Sequence, residues 1–504
     1  MGMHVRSVLI ALAAAGQLLR PSAAQATDAQ DRDFRALYEE LVNINTTRSS
    51  GSCTQAARAM RAHLLASGIP ATAAQILAPS DRIEDGALIA TFPGRDLRLK
   101  PILLLAHLDV VEAKREEWQR DPFKLVEEGG MFFARGASDD KAMAAVFTDA
   151  LVRYVQEGFR PLRGIKLALT CGEETPDVFN SVSWLMRTDP KVLDAAFALN
   201  EGAFGELDRN GEPVVLQVQA GEKVYQDFSL EASDVGGHSA RPTRNNPIVR
   251  LSDGLARLGH HDFAITLNPV TRSYLEGQAK LVAPEVSRDI KAVLAMPPDE
   301  AAAERLWAVN PAWNAALRTT CVVTQIAGGH APNALPQKAH ANVNCRILPG
   351  VPVAEVRDEL IRILRDDSIH VSATGVAGMP SPVPPLSEQI MAPVREVARQ
   401  IWPSAVIMPT MLVAATDGRF LNAGGVPTYG LSGMFYDANG SHAHGLDEHI
   451  LVKSLMDGRR FLDEVVKLYA NQPDPMRTGA LPVDSASPAS VGSADPLLPK
   501  AFNQ

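Results

Sequence analysis

Residues 103–111 read Leu103-Leu104-Leu105-Ala106-His107-Leu108-Asp109-Val110-Val111. An unbroken apolar run that ends in a histidine and an acid has the character of a strand buried on both faces, with its polar groups at the carboxyl end. Two further runs share this form. Gly164 to Thr170 leads into Cys171-Gly172-Glu173-Glu174-Thr175, and Ala195 to Leu199 leads into Asn200-Glu201-Gly202. Ala87 to Phe92 is a fourth apolar run. Helical patterns lie before and between them: Asp31 to Asn45, with Phe34, Leu37, Leu41 and Val42 on one face, then Thr54 to Ser67, Lys141 to Glu157 and Ser181 to Arg187. Strands alternating with helices predict an α/β fold, a mostly parallel sheet covered by helices. In such folds ligands sit beyond the carboxyl ends of the strands, which is where these acids and histidines fall.

The texture changes from about Lys223 to Thr374. Tyr225 to Ala232 alternates like a half-exposed strand, Pro247 to Leu258 and Val353 to Leu364 are amphipathic helices, and Cys321 to Ile326, Lys338 to Ile347 and Ile369 to Ala373 supply more strands. This predicts a smaller α+β domain with one sheet face on two helices, interrupted by an irregular, helix-leaning insertion from about His261 to Leu317. After Pro380 the α/β pattern returns, with a helix near Met391 to Ile401, strands at Ala405 to Pro409 and Pro427 to Leu431, and a helix near Ile450 to Ala470. The expected organisation is a signal peptide (1–26), a larger α/β domain in two parts (27–222 and 376–470), an inserted smaller domain (223–375) and a disordered tail (471–504).

The chain has 504 residues, too many for one core. Its 46% hydrophobic and 21% charged residues are an ordinary globular balance, and a net charge of −9 argues against nucleic acid or an anionic membrane as partner. Arg6, the apolar run Val8 to Leu19 and Ala24-Gln25-Ala26 read as a secretory signal with its cleavage site. That run is too short for a stable membrane anchor, which needs about 20 apolar residues. The protein is therefore expected to be exported, periplasmic or secreted. Cys53, Cys171, Cys321 and Cys345 show no Cys-x-x-Cys spacing; buried free thiols are the first expectation and one disulfide the lesser alternative.

Taken singly, each polar cluster has a plain structural reading. His107 and Asp109 share one face of an extended chain but could be satisfied polar groups at a strand end. Asp139 or Asp140, in Gly136-Ala137-Ser138-Asp139-Asp140-Lys141, could cap a helix. Glu173 and Glu174 could sit in a solvated loop, and His442-Ala443-His444-Gly445-Leu446-Asp447-Glu448 on a surface turn. Together they form a nitrogen and carboxylate set suited to borderline divalent metals.

In this combination and order, from about Asp31 to Ala470, the residues resemble the M20 metallopeptidases and amidohydrolases, which include carboxypeptidase S-like enzymes, aminoacylases and acetylornithine deacetylases. The resemblance implies two metal ions, one on His107 and Glu201, the other on Glu174 and His444, with Asp139 bridging. His444 is preferred to His442 because Glu448 stands four residues after it. Asp109 would orient His107, and Glu173 would be the general base, taking a proton from the attacking water and passing it to the leaving amine. The family also carries a cis peptide after the bridging Asp. In the lid, Gly236-Gly237-His238-Ser239 resembles a motif whose His stabilises the oxyanion, in dimeric members across the subunit interface. Asn333 and Arg346 resemble positions that hold a substrate carboxylate. A structural turn is the alternative for His238, and structural roles are the alternative for Asn333 and Arg346.

Glu112, Ala142 and Thr175-Pro176-Asp177 depart from the family pattern, which bears on specificity rather than hydrolysis. The expected activity is hydrolysis of peptide bonds near a free carboxylate, of dipeptidase or carboxypeptidase type. The rival substrate is an N-acyl amino acid. A non-catalytic peptide-binding protein on the same fold is the alternative from another class. Zinc is the expected metal, with cobalt or manganese allowed by the same ligands. The lid resemblance allows a homodimer.

Overall fold

The computed structural model describes residues 23–175, 178–375, 381–437 and 439–473. Residues 1–22 of the expected 1–26 signal peptide, Pro176 and Asp177, and the tail from residue 474 lie outside the described residues.

A ten-stranded mixed sheet forms the larger body. Its middle four strands, in spatial order Ile165–Thr170, Ile102–His107, Phe197–Asn200 and Thr428–Gly430, are all parallel. Ala87–Phe92 and Ala74–Leu77 extend one side in antiparallel fashion. On the other side Pro213–Glu222 pairs antiparallel with Thr428–Gly430 and parallel with Val406–Leu412.

Alternation along Ile102–His107 explains why every residue of it is buried. Ile102, Leu104 and Ala106 join the core formed with helices Ala23–Asn43, Cys53–Ser67, Lys141–Gln156, Glu388–Ile401 and Val452–Asn471. Leu103 and Leu105 point the other way, into a second core with Val182, Leu185, Phe420 and Leu421. Helix Cys53–Ser67 shows how local sequence sets its ends. Ser52 accepts from the Gln55 amide at the start, and Gly68 at φ 110° returns its N–H to Leu64 and Leu65 at the end.

The second body is an antiparallel four-stranded sheet in the order Thr320–Gly328, Lys338–Ile347, Val224–Ser233, Ile369–Thr374. Phe228, Leu230, Val343 and Cys345 face helices Pro247–Gly259 and Val353–Leu364 through a core that includes Leu251 and Leu360. The insertion is more regular than its sequence texture implies. It folds as four short helices between Pro269 and Leu317, three of them capped by Asn268, Asp299 or Asn310, with a core of Leu275, Ile290, Leu306 and Trp313.

One expectation is corrected. Among the described residues there is no free cysteine: Cys53 bonds Cys171, and Cys321 bonds Cys345. Cys321 and Cys345 are direct cross-strand neighbours, which brings their Cα atoms to 4.1 Å. Cys53 opens a helix whose first turn meets the end of strand Ile165–Thr170, a tertiary proximity that spacing in the chain does not reveal. No helix among the described residues is long and apolar enough to cross a membrane.

Candidate metal centre

Parallel pairing in register is what assembles the centre. His107 is the last residue of its strand and lies opposite Thr170, so the turn after Thr170 carries Glu173 and Glu174 to the same end. Phe197–Asn200 pairs on the other side of the His107 strand, and its continuation brings Glu201 there. Asp139 arrives just before helix Lys141–Gln156, and the Asp139–Asp140 peptide is cis. His444, at φ 63°, comes from the turn before the last helix.

Two candidate ligand triads result, each with its donor atoms within 4.8 Å of one another: His107, Asp139, Glu201 and Asp139, Glu174, His444. His107 Nε2 is 3.1 Å from Asp139 Oδ1 and 3.8 Å from Glu201. His444 Nε2 is 3.3 Å from Asp139 Oδ2 and 3.0 Å from Glu174. The two carboxylate oxygens of Asp139 thus face different histidines, the arrangement a bridging ligand requires. His442 takes no part in either triad; its ring packs edge-on against His449.

Asp109 holds His107 chiefly through its backbone carbonyl, 2.9 Å from Nδ1, while its carboxylate lies 3.8 Å from that nitrogen. The same carboxylate accepts the amides of Glu173, at 3.3 Å, and Glu174, at 3.0 Å. It therefore orients the neighbouring turn as well as the imidazole.

The electrostatics point to missing positive charge. Among the described residues no lysine or arginine forms an ion pair with Asp139, Glu173, Glu174 or Glu201; Asp139, Glu174 and Glu201 pair with histidines. Burial drives Glu173 and Glu201 well above the ordinary carboxylate range, neighbouring acids add to this, and His107 opposes it. Burial raises Glu174 too, against its hydrogen bond with His444. Hydrogen bonds to Asp139 and Glu174 lift His444 to about 10. Burial disfavours charge on His107, but Glu201, Asp139 and Asp109 outweigh it and raise its pKa. Clustered carboxylates are otherwise balanced only by protons, and divalent cations would balance them better. The donors, two imidazoles and three carboxylates, fit two such ions.

Several supporting residues carried little or no signal in the sequence. Glu448, 1% exposed, accepts the amides of Gly136, Ser138 and Asp139 and pairs with Arg135 at 2.7 Å. Asp417 accepts from Thr170 and Asn180 beneath the Glu173 turn. Thr416 accepts from Asn200, next to Glu201. Only the spacing of Glu448 from His444 marked any of them.

The three lid residues lie outside both triads. His238 is exposed on a two-residue strand paired with Ala334–Leu335, so it stands beside Asn333. Arg346 is half-buried on strand Lys338–Ile347, its guanidinium 4.6 Å from the Tyr225 ring centre. A cavity of about 570 Å³ is lined by Asp139, Glu173, Glu201 and His444 and also by Met143, Phe204, Leu412 and Met434.

Residues 103–468 match Peptidase family M20/M25/M40. The mouse N-fatty-acyl-amino acid synthase/hydrolase PM20D1 is 28% identical over 385 residues, covering 75% of this chain and 76% of the relative. The probable carboxypeptidase S-like 2 of Dictyostelium discoideum is 26% identical over 391 residues, covering 74% and 72%. In fold, the chain is similar to an M20 family metallo-carboxypeptidase from Sulfolobus solfataricus, with a TM-score of 0.62 at 19% identity over 87% of this chain and 99% of that one. The chain belongs to Peptidase family M20/M25/M40 and is an enzyme of its metal-dependent peptidase and amidohydrolase class.

Proposed function

We propose that the enzyme hydrolyses the amide bond of N-acyl amino acids with an apolar acyl group, using two zinc ions. The observation that carries this reading is the cavity beside the ligands. Its wall of Met143, Phe204, Leu412 and Met434 suits an apolar chain, with Phe204 set edge-on against Tyr436 at 5.6 Å. The relatives named as N-fatty-acyl-amino acid hydrolases support it. Peptide hydrolysis is the second reading. Glu206 and Asp437 line the same cavity, and either would suit the ammonium group of a peptide.

His107 and Glu201 would hold one ion, Glu174 and His444 the other, and Asp139 both. When bound, such ions acidify water and polarise a carbonyl. The protein's own groups do the rest. Glu173 faces the cavity from a buried turn and is the proton carrier, taking a proton from water and delivering it to the leaving nitrogen. Arg346 and Asn333 bind the free carboxylate, and His238 stabilises the oxyanion once the lid approaches, its own or a partner copy's. A homodimer is supported by the lid's edge strand Thr320–Gly328, where Val322 and Ile326 are each 60% exposed. Export is supported by the pairing of all four cysteines.

The test is kcat/KM on N-acyl amino acids of increasing acyl length beside matched dipeptides. Each buried methylene is worth about 0.8 kcal/mol, so kcat/KM should rise about fourfold per methylene until the cavity is filled. A flat series with efficient dipeptide cleavage would establish the peptide reading instead.

A further inference from the structure

The turn Cys171-Gly172-Glu173-Glu174 carries both the proposed base and a proposed ligand, and it is held at several points. Cys171 and Ser181 exchange two hydrogen bonds, from the Cys171 amide to the Ser181 hydroxyl and from the Ser181 amide to the Cys171 carbonyl. Asn180 donates to the Gly172 carbonyl at 3.1 Å. Gly172 sits at φ 91° and so close to the chain that a Cβ there would lie 2.1 Å from the Phe179 carbonyl oxygen. The Asp109 carboxylate takes the next two amides. The one covalent tie is the bond from Cys171 to Cys53, at the start of helix Cys53–Ser67. Both sulfurs and an Asp109 carboxylate oxygen lie within 4.8 Å of one another.

Beside the turn is a second cavity, of about 190 Å³, lined by Cys53, Cys171, Asp109, Gly172 and Thr175. This space leaves one side of the turn open, so the turn has room to shift once its tie is cut. Resting on the metal-centre reading above, we propose that the Cys53–Cys171 disulfide is a positioning device for catalysis: it keeps the turn from settling into this cavity and so fixes where Glu173 and Glu174 present their carboxylates. The Cys321–Cys345 bond, inside the lid sheet, has no such connection and is a built-in control.

The experiment compares full-length wild type, Cys53→Ala/Cys171→Ala and Cys321→Ala/Cys345→Ala. Zinc affinity is read by competition with a chromophoric chelator, geometry by the visible spectrum of the cobalt-loaded protein, and stability by Tm. Both double variants should melt earlier. Only Cys53→Ala/Cys171→Ala should bind zinc more weakly, by about tenfold, the size expected when an outer support of a ligand is lost, and only it should shift the cobalt spectrum. If it does not fold, Cys53→Ala alone reads the same way. Equal loss of Tm in both, with zinc affinity and cobalt spectrum unchanged, would overturn the proposal. Failure of wild type itself to take up metal would instead overturn the metal-centre reading.

Discussion

Glu448 shows how one side chain can organise a centre it does not enter. Its carboxylate gathers three consecutive-region amides, Gly136, Ser138 and Asp139, and the Arg135 guanidinium, all in a buried site. Asp139 can face two histidines at once because its backbone is held this way. Removing one partner of a buried pair leaves the other uncompensated, so Glu448→Ala should destabilise the protein by about 3–5 kcal/mol in denaturant unfolding. It should also weaken zinc binding about tenfold or more in a chelator titration, and unchanged affinity would count against its role. His107, Asp139, Glu174, Glu201 and His444 stand in polar clusters, most of them just past apolar runs, and it was the family resemblance that singled them out as candidate ligands. Glu448 stood out only by its distance from His444, and Asp417 not at all. An acid before Gly418 looks like an ordinary helix start, and its contacts with Thr170 and Asn180 exist only in the folded chain.

The strand Pro213–Glu222 was not among the elements expected from sequence, since Gln217, Gln219 and Glu222 break up its apolar run. It pairs with Thr428–Gly430 and Val406–Leu412 and then leads directly into the lid strand Val224–Ser233. The junction is buried and polar. Glu222 accepts the Thr416 amide at 2.6 Å through one oxygen, and its other oxygen has no hydrogen-bond partner among the described residues. Lys223 donates to the Arg318 carbonyl at 2.7 Å. Burial pushes Glu222 up to about 7 and Lys223 down to about 7. Between the unfolded glutamate value of about 4.3 and 7, the unfolded chain ionises Glu222 while the folded one keeps its proton, so this residue lowers stability as pH rises through that window. Lys223 acts in the other window, from 7 up to the ordinary lysine range, where stability rises with pH because only the unfolded chain still holds the proton. Glu222→Gln mimics the protonated acid. It should barely change stability at pH 4.5 and raise it by up to about 3 kcal/mol at pH 8, read from unfolding curves of both proteins at each pH. A constant difference across that range would show that Glu222 does not titrate as its burial requires.

Across the molecule, the parallel middle of the sheet and the α+β lid followed directly from patterning, because doubly buried strands are continuously apolar and half-exposed ones alternate. The disulfides did not follow, since Cys53 and Cys171 are 118 residues apart and meet only when a helix packs against a strand end. The larger body gathers the acids and histidines at one end of its sheet, and the smaller body holds His238, Asn333 and Arg346, the residues proposed above to meet the substrate. The whole account rests on five side chains holding two metal ions. Metal per chain, measured by elemental analysis on zinc-equilibrated wild type, Asp139→Ala and Glu173→Ala, tests this most directly. Wild type and Glu173→Ala should each hold about two ions, with Glu173→Ala inactive, and Asp139→Ala should hold fewer than one, as expected when a shared ligand is lost. Wild type with no bound metal, or Asp139→Ala with both ions retained, would contradict it.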